Sequence, residues 1–344
     1  MRKGNRTIQY QNVYVLSGSS VVGPKEKQSP FAPYFDLILD DDTLSEQSYE
    51  RAESLMQFIS VQEACKKFKA YPDDLDCVLA GDLVNQITSS TFSARKISGG
   101  FLGLYGACST FGEALTVGSL LIDTGSFEKV ACATSSHFST AERQYRYPLE
   151  LGTSMTPTSQ RTVTAAGTTV LATKNSFESS VLNKTGVKQK ITFATIGSVI
   201  DFGVLNSSNM GGAMAPAAFD TFYNHLTDTG KSPSDYDLIM TGDLGIFGSS
   251  IFEKLCLENK IELKNYRDGG AEFFGRDNKM KMGGSGAGCI NAVFNSYILK
   301  KMQKCELNKV LIIPTGALLS QDSPLQKETI PAIAYAVSIE NTEE

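Results

Sequence analysis

The sequence predicts an α/β chain built as two similar halves. Short β-branched runs alternate with helical patterns. Three segments recur in the same order along the chain, and 344 residues are enough to bury one large duplicated core. The recurrences are specific. DLDCVLAGDL (74–83) resembles DYDLIMTGDL (235–244), which pairs Asp82 with Asp243. GLYGAC, ending at Cys108, resembles GSGAGC, ending at Cys289, and KVACATS from Lys129 resembles KVLIIPT from Lys309. Chance reuse of strand-plus-glycine endings would not keep the order, so duplication is the stronger account.

In the first half, residues 13–17 read as a strand. Residues 44–69 follow as a helix, with Leu55, Met56, Ile59 and Phe68 near a 3.6-residue period. Residues 76–80 and 101–105 read as strands. The helix over 109–123 ends near Gly125, a residue suited to a left-handed C-cap. Strands follow at 130–134 and 162–172. The polar stretch 174–190 reads as the connection, so the halves are set at 1–175 and 188–344. In the second half, strands are expected at 191–200, 237–242, 309–314 and 333–339. Helices are expected at 213–229, ended by Gly230, and at 289–301.

Composition removes several function classes. A net charge of −5 with 41% hydrophobic residues excludes a disordered chain and argues against bulk nucleic-acid binding. Seven widely spaced cysteines without a C-x-x-C read as reduced thiols and give no zinc pattern. The basic start lacks an apolar stretch after it, so no secretory signal is expected, and no run approaches a membrane span. Only two histidines, His137 and His225, leave no room for a mechanism that needs several imidazoles.

Four constellations carry chemistry. Cys108 follows a strand and Gly106 and opens a helix, a position that lowers a thiol pKa and favours anions. A small buried core cysteine is the commoner fate, and is expected for the other six. The run Ala133–Pro148 begins at a strand end, where open α/β sheets gather ligands. It holds Ser136, His137, Glu142, Arg143 and Arg146, the arginines suited to clamping a carboxylate, although a solvated charged loop fits equally. Asp82 is suited to act as a base, to help hold a cation, or to cap the next helix. Asp243 is expected to repeat that cap. The glycine-rich run 283–288 fits either an anion cradle or close packing of two backbones. His225, between Phe222 and Leu226, reads as structural.

The duplicated pattern with its Gly-x-Cys-Ser/Thr helix start resembles the thiolase superfamily over nearly the whole chain. That resemblance implies a thiolase-like fold: two duplicated βαβαβαββ halves in an α-β-α-β-α layering. It also implies an acylated cysteine at Cys108. The second-half histidine of the condensing enzymes is missing, since none falls between Gly242 and Cys289.

Longer motifs resemble the stage V sporulation protein AD family. They are VGPKEK within 20–30, AGDLxNQ (80–86), GACST (106–110), ATSSHxxTAERQxRYPxE (133–150), MGxAMAPAAxD (210–220) and TGALLS (315–320). This implies a non-catalytic protein that binds dipicolinic acid (pyridine-2,6-dicarboxylate) and its calcium chelate during loading of the forespore. It further implies no cofactor and no resident metal. The expected place is peripheral at the spore inner membrane, beside other stage V A membrane proteins, with a homodimer possible. The implied ligand residues are Asp82, Cys108, Ser136 and His137, with Glu142 and Arg143 as neighbours. The alternative is an acyl-CoA condensing enzyme or acyltransferase using Cys108 as nucleophile.

Overall fold

The computed structural model describes residues 1–145, 156–182, 187–275, 280 and 282–342. Arg146, assigned to the carboxylate clamp, lies outside the described residues. In the first half, β1 (Tyr14–Val22) leads to helix α1 (Tyr49–Lys67), then β2 (Cys77–Gly81), α2 (Thr88–Ala94), β3 (Gly100–Gly103), α3 (Thr110–Asp123), β4 (Lys129–Ser136), α4 (Phe138–Tyr145) and β5 (Ala165–Ala172). The second half runs β6 (Lys188–Ile196), α5 (Met210–Thr229), β7 (Leu238–Gly242), α6 (Gly245–Glu258), β8 (Tyr266–Asp268), the Cys289 helix, β9 (Lys309–Ala317) and β10 (Ala332–Thr342). The Cys289 helix comprises Cys289–Val293, a π-helical turn at Phe294–Ile298, and Leu299–Gln303.

These strands hydrogen-bond in the order β8-β7-β9-β10-β6-β1-β5-β4-β2-β3. Read outward from the middle, the two halves have the same order. In each, the outer three strands are parallel and the remaining contacts antiparallel. The halves join through β6 and β1, antiparallel, with Lys190 opposite Tyr14. β1, β2, β5 and β7 are buried at every position, which is why they read as continuous apolar or small-residue runs.

The helices form the layers. α1 covers β1, β5 and β4, and α5 covers β10 and β9. α3 and the Cys289 helix lie between the two sets of strands, and both cross onto the other half. Gly112 of α3 abuts Tyr335 and Pro314, and Phe111 packs its ring 5.5 Å from that of Phe294. From the Cys289 helix, Asn291 Nδ2 donates to Thr134 Oγ1 (2.8 Å) and to the Gly167 carbonyl (2.7 Å). The result is helix–sheet–helix–sheet–helix, the thiolase-like arrangement.

Local chemistry sets the boundaries. Ser48 caps α1 by accepting from the Arg51 N–H, which starts the helix five residues later than its periodicity suggests. Gly125 and Gly230, at φ 72° and 71°, follow α3 and α5 in the left-handed conformation their positions predict. The repeat also appears as twin clamps. Asp76 Oδ2 accepts from the Glu128 and Lys129 N–H groups, both at 2.8 Å, and Asp237 Oδ2 from those of Asn308 and Lys309, at 2.6 and 2.9 Å. The N-cap residue of α6, Leu244, offers no side-chain cap and the helix opens on a glycine, so it carries no start signal in the adjacent sequence. Likewise α4 occupies a stretch that reads as a charged loop.

Candidate functional site

Cys108 stands on a built elbow. After β3 the chain turns through Ala107, held at φ 52°, a left-handed conformation that costs a non-glycine residue energy. Three hydrogen bonds lock the turn. Ser109 Oγ donates to the Gly106 carbonyl (2.6 Å), Thr110 Oγ1 to that of Ala107 (2.7 Å), and the Gly106 N–H to Thr110 Oγ1 (3.0 Å). The end of β9 presses on this turn. A Cβ at Gly316 would lie 2.0 Å from the Gly106 carbonyl oxygen, so only glycine fits there.

The elbow presents Cys108 to a narrow cavity lined by both halves. Its polar groups are Cys108, Glu142, Thr162, Ser285 and Tyr145; Leu83, Met210, Ala317 and Leu319 supply apolar walls. Among the described residues, no lysine, arginine or histidine lines it. Glu142 Oε1 lies 3.3 Å from Thr162 Oγ1.

Of the six residues assigned to the ligand, the structure brings Cys108 and Glu142 to this cavity and places the other four elsewhere. Asp82 is fully buried and caps α2. Its Oδ2 accepts from the Ser90 N–H (2.7 Å) and hydroxyl (2.6 Å), and its Oδ1 from the Val84 N–H (2.7 Å). Burial pushes its carboxyl up to about 6. Ser136 Oγ donates to the Val163 carbonyl (2.7 Å) and accepts from the Gly288 N–H (3.2 Å), joining the halves rather than facing the cavity. The His137 ring turns the opposite way. Its Nε2 lies 3.0 Å from the Asp42 carbonyl, its Nδ1 accepts from the Ser139 N–H, and it packs on Tyr49. Nδ1 as acceptor leaves the proton on Nε2, so the ring is a neutral donor to Asp42, and burial lowers its pKa. Arg143 pairs with Glu50 on the surface.

Asp243 is the residue that sequence reasoning assigned differently. It does not cap α6. In this half Asp268 does so, accepting from the Leu244 and Gly245 N–H groups at 3.1 and 2.9 Å, and it also caps the short helix Gly269–Phe273 through the Ala271 N–H at 2.7 Å. Asp243 instead sits at φ 69° and takes one N–H bond, from Gly286 at 3.2 Å. Its carboxyl faces the thiols of Cys108 and Cys289 in a fully buried group. Its Oδ1 has no hydrogen bond within normal geometry among the described residues. Burial pushes Asp243 well above the usual carboxylate range, helped by the negative Asp268 nearby. Burial, then Asp243, pushes the Cys108 thiol well above its ordinary value. This reverses the lowering expected from a helix start: loss of solvation outweighs the helix-end dipole.

The glycine run 283–288 packs backbone on backbone. Gly283 and Gly286 have φ of 107° and 125°, and a Cβ at Gly288 would lie 2.1 Å from the Ala165 carbonyl oxygen. His225 is structural as expected, held between Thr195 Oγ1 and the Tyr236 hydroxyl, both at 2.8 Å. Thr162, Ser285, Met210 and Leu319 reach the cavity from four separate segments; the last three lie in runs the sequence singles out, but nothing local marks the individual residues as cavity lining.

Comparison with known proteins agrees with this architecture. The profile of the family described as stage V sporulation protein AD matches residues 4–340. Stage V sporulation protein AD of Bacillus subtilis (strain 168) is 39% identical over 339 residues, covering 98% of this chain and 97% of that protein. Among solved structures, OleA of Xanthomonas campestris with bound cerulenin aligns with a TM-score of 0.60 at 11% identity, covering 97% of this chain and 98% of that one. An OleA variant with bound lauric acid and lauroyl-CoA aligns at 0.59 and 11%, covering 96% and 99%. At that identity the likeness is one of fold.

Proposed function

Since this chain belongs to the stage V sporulation protein AD family, we propose that its part in sporulation is to bind dipicolinate, as the calcium chelate, in the Cys108 cavity. In this reading the protein catalyses no reaction and serves the loading of that compound into the forespore. One observation carries the preference for the chelate. The described cavity lining has one carboxylic side chain, Glu142, and no cationic one. Among the described lining residues, a bare dianion would lose its hydration against apolar walls without meeting a counter-charge. The one-to-one calcium chelate is uncharged overall. Calcium takes 6–8 oxygen ligands, more than dipicolinate provides, which leaves places for the Glu142 carboxyl and the Thr162 and Ser285 hydroxyls. A neutral Cys108 thiol then packs as a small polarizable wall.

Calorimetric titration tests this. Binding is expected to be tighter with calcium by about tenfold, or about 1.4 kcal/mol, and Glu142→Gln is expected to remove most of that gain. Equal affinity with and without calcium, or no binding, would overturn the reading. Attachment at the spore inner membrane beside other stage V A proteins belongs to the same proposal. Among the described residues, no helix is long and apolar enough to cross a membrane, so attachment would run through a partner.

A second reading rests on the Cys108 elbow beside Asp243, an arrangement suited to an acyl-thioester enzyme with a carboxylate base. The raised thiol counts against it, because the thiolate is the nucleophile. Intact mass spectrometry after incubation with a panel of acyl-CoAs decides: a stable adduct lost in Cys108→Ala would favour the enzyme.

A further inference from the structure

A second hollow of about 420 Å³ adjoins the Cys108 cavity. The segments 84–87, 103–105 and 318–320 line it, together with Gln144 and Tyr145. The two spaces share two residues, Tyr145 and Leu319. Tyr145 is pinned in the wall between them. Its hydroxyl donates to the Leu83 carbonyl at 2.9 Å and lies 3.1 Å from the Tyr105 hydroxyl. The neighbouring Gln144 staples the same strand end, donating to the Leu83 carbonyl (3.0 Å) and accepting from the Asn85 N–H (3.2 Å). Leu83 faces the inner cavity and Val84–Ile87 the outer one, so this short stretch and the Tyr145 ring form the partition.

The outer hollow is built at an energetic cost. Gln86 and Ile87 both hold positive φ, 55° and 47°, and a β-branched residue there is a true outlier. Ile87 rests on Gly103 of β3, where a Cβ would come within 2.4 Å of its Cδ1. Strain of this kind persists where the surrounding structure enforces it, often at ligand sites. The lining chemistry is also selective. Its described side chains include three amides (Asn85, Gln86, Gln144), two phenols and the Ser320 hydroxyl, and none is charged.

We propose that the outer hollow is the antechamber through which the ligand of the Cys108 cavity passes, with the Tyr105–Tyr145 hydroxyl pair as the door. The class of molecule it suits is small, flat and carboxylate-bearing. Neutral amide and phenol donors hold such a molecule without the ion pair that would trap it. Burial raises both phenols, which keeps them protonated as donors. The identity of the ligand rests on the function proposed above; the route does not.

The test reads access to Cys108 directly. Cys305 is the exposed cysteine, and the other cysteines besides Cys108 are buried and do not line either space. In a Cys305→Ser chain, alkylation of Cys108 by N-ethylmaleimide at pH 8 is followed by intact mass. Ser320→Trp and Asn85→Trp, which fill the antechamber, are each expected to slow alkylation by about tenfold. Tyr145→Phe, which frees the door, is expected to speed it several-fold. Unchanged rates in folded tryptophan variants, checked by thermal midpoint, would overturn the route. A wild type that is alkylated as expected but binds no dipicolinate would remove the proposed function and leave the route standing.

Discussion

Asp82 and Asp243 fill the same place in the two halves, after a buried strand ending in glycine and before a leucine, yet they do opposite work. Asp82 spends one oxygen on the start of α2 and the other on the Val84 N–H in the turn before it. Asp243 adopts a left-handed backbone, leaves the start of α6 to Asp268, and turns its carboxyl toward two thiols. The difference teaches how a duplicated fold makes one site rather than two. A second acid taking over the cap frees the original position to face the elbow of the other half. Nothing in the ten-residue match around either aspartate signals this. The deciding residue, Asp268, lies 25 positions beyond Asp243 in chain order, and the deciding thiol lies in the opposite half.

The largest break in the comparison should come from Asp82→Ala. It strands two N–H groups and a hydroxyl in a buried place and is expected to cost about 3 kcal/mol in chemical denaturation. Asp243→Asn should be far milder, under about 1 kcal/mol, since the folded protein already favours the neutral acid there. A cost equal to that of Asp82→Ala would show that Asp243 is structural after all.

Second in size is the pH dependence. Glu53, fully buried beside Asp82, accepts from Ser135 and Thr140, and burial followed by the Asp82 charge pushes it up to about 8. An acid whose folded pKa exceeds its unfolded one binds more protons in the folded state, so stability falls as pH rises toward the folded value. His225, held down to about 3, and the lowered His137 act oppositely, but only below their unfolded value of about 6.5. Between pH 6.5 and 8 the acids therefore decide, and the denaturation midpoint should drop. Glu53→Gln should flatten that slope; a midpoint that rises across this window would contradict the assignment.

The smallest effect separates the two aspartates at the thiol. Asp243, neutral near pH 7, competes with Cys108 for the one negative charge the buried group takes up at alkaline pH. Asp243→Asn removes that competitor and should lower the pH at which Cys108 is alkylated. Asp82→Asn should leave that pH unchanged, and an equal shift from both would erase the distinction.

Much of the fold is legible in sequence because local rules and the global arrangement agree. The buried strands are continuous apolar or small-residue runs, the glycines after α3 and α5 end helices, and Asp76 and Asp237 sit before equivalent strands. The site is less legible because long-range packing decides it. His137 lies at a strand end, where a ligand residue belongs, but its ring is claimed by a carbonyl 95 residues away in the chain. Glu142 and Arg143 are adjacent in sequence, yet α4 turns one into the cavity and the other toward Glu50. Helical geometry separates neighbours by about 100° around the axis, which a stretch read as a loop does not reveal.

The crossing of the two central helices has a consequence for how the molecule comes apart. Asn291 is hydrogen-bonded to β4 and β5 of the opposite half, and Asn295 donates back to Asn291 and accepts from Thr169 of β5. Peeling away either half alone would strand these amides in a dry interface. The halves are thus bound into a single cooperative unit, and one sharp transition should accompany denaturation despite the duplicated plan. A ligand seated between the halves would raise the stability of the whole chain by mass action, so occupancy of one small cavity becomes measurable in the melting of every strand.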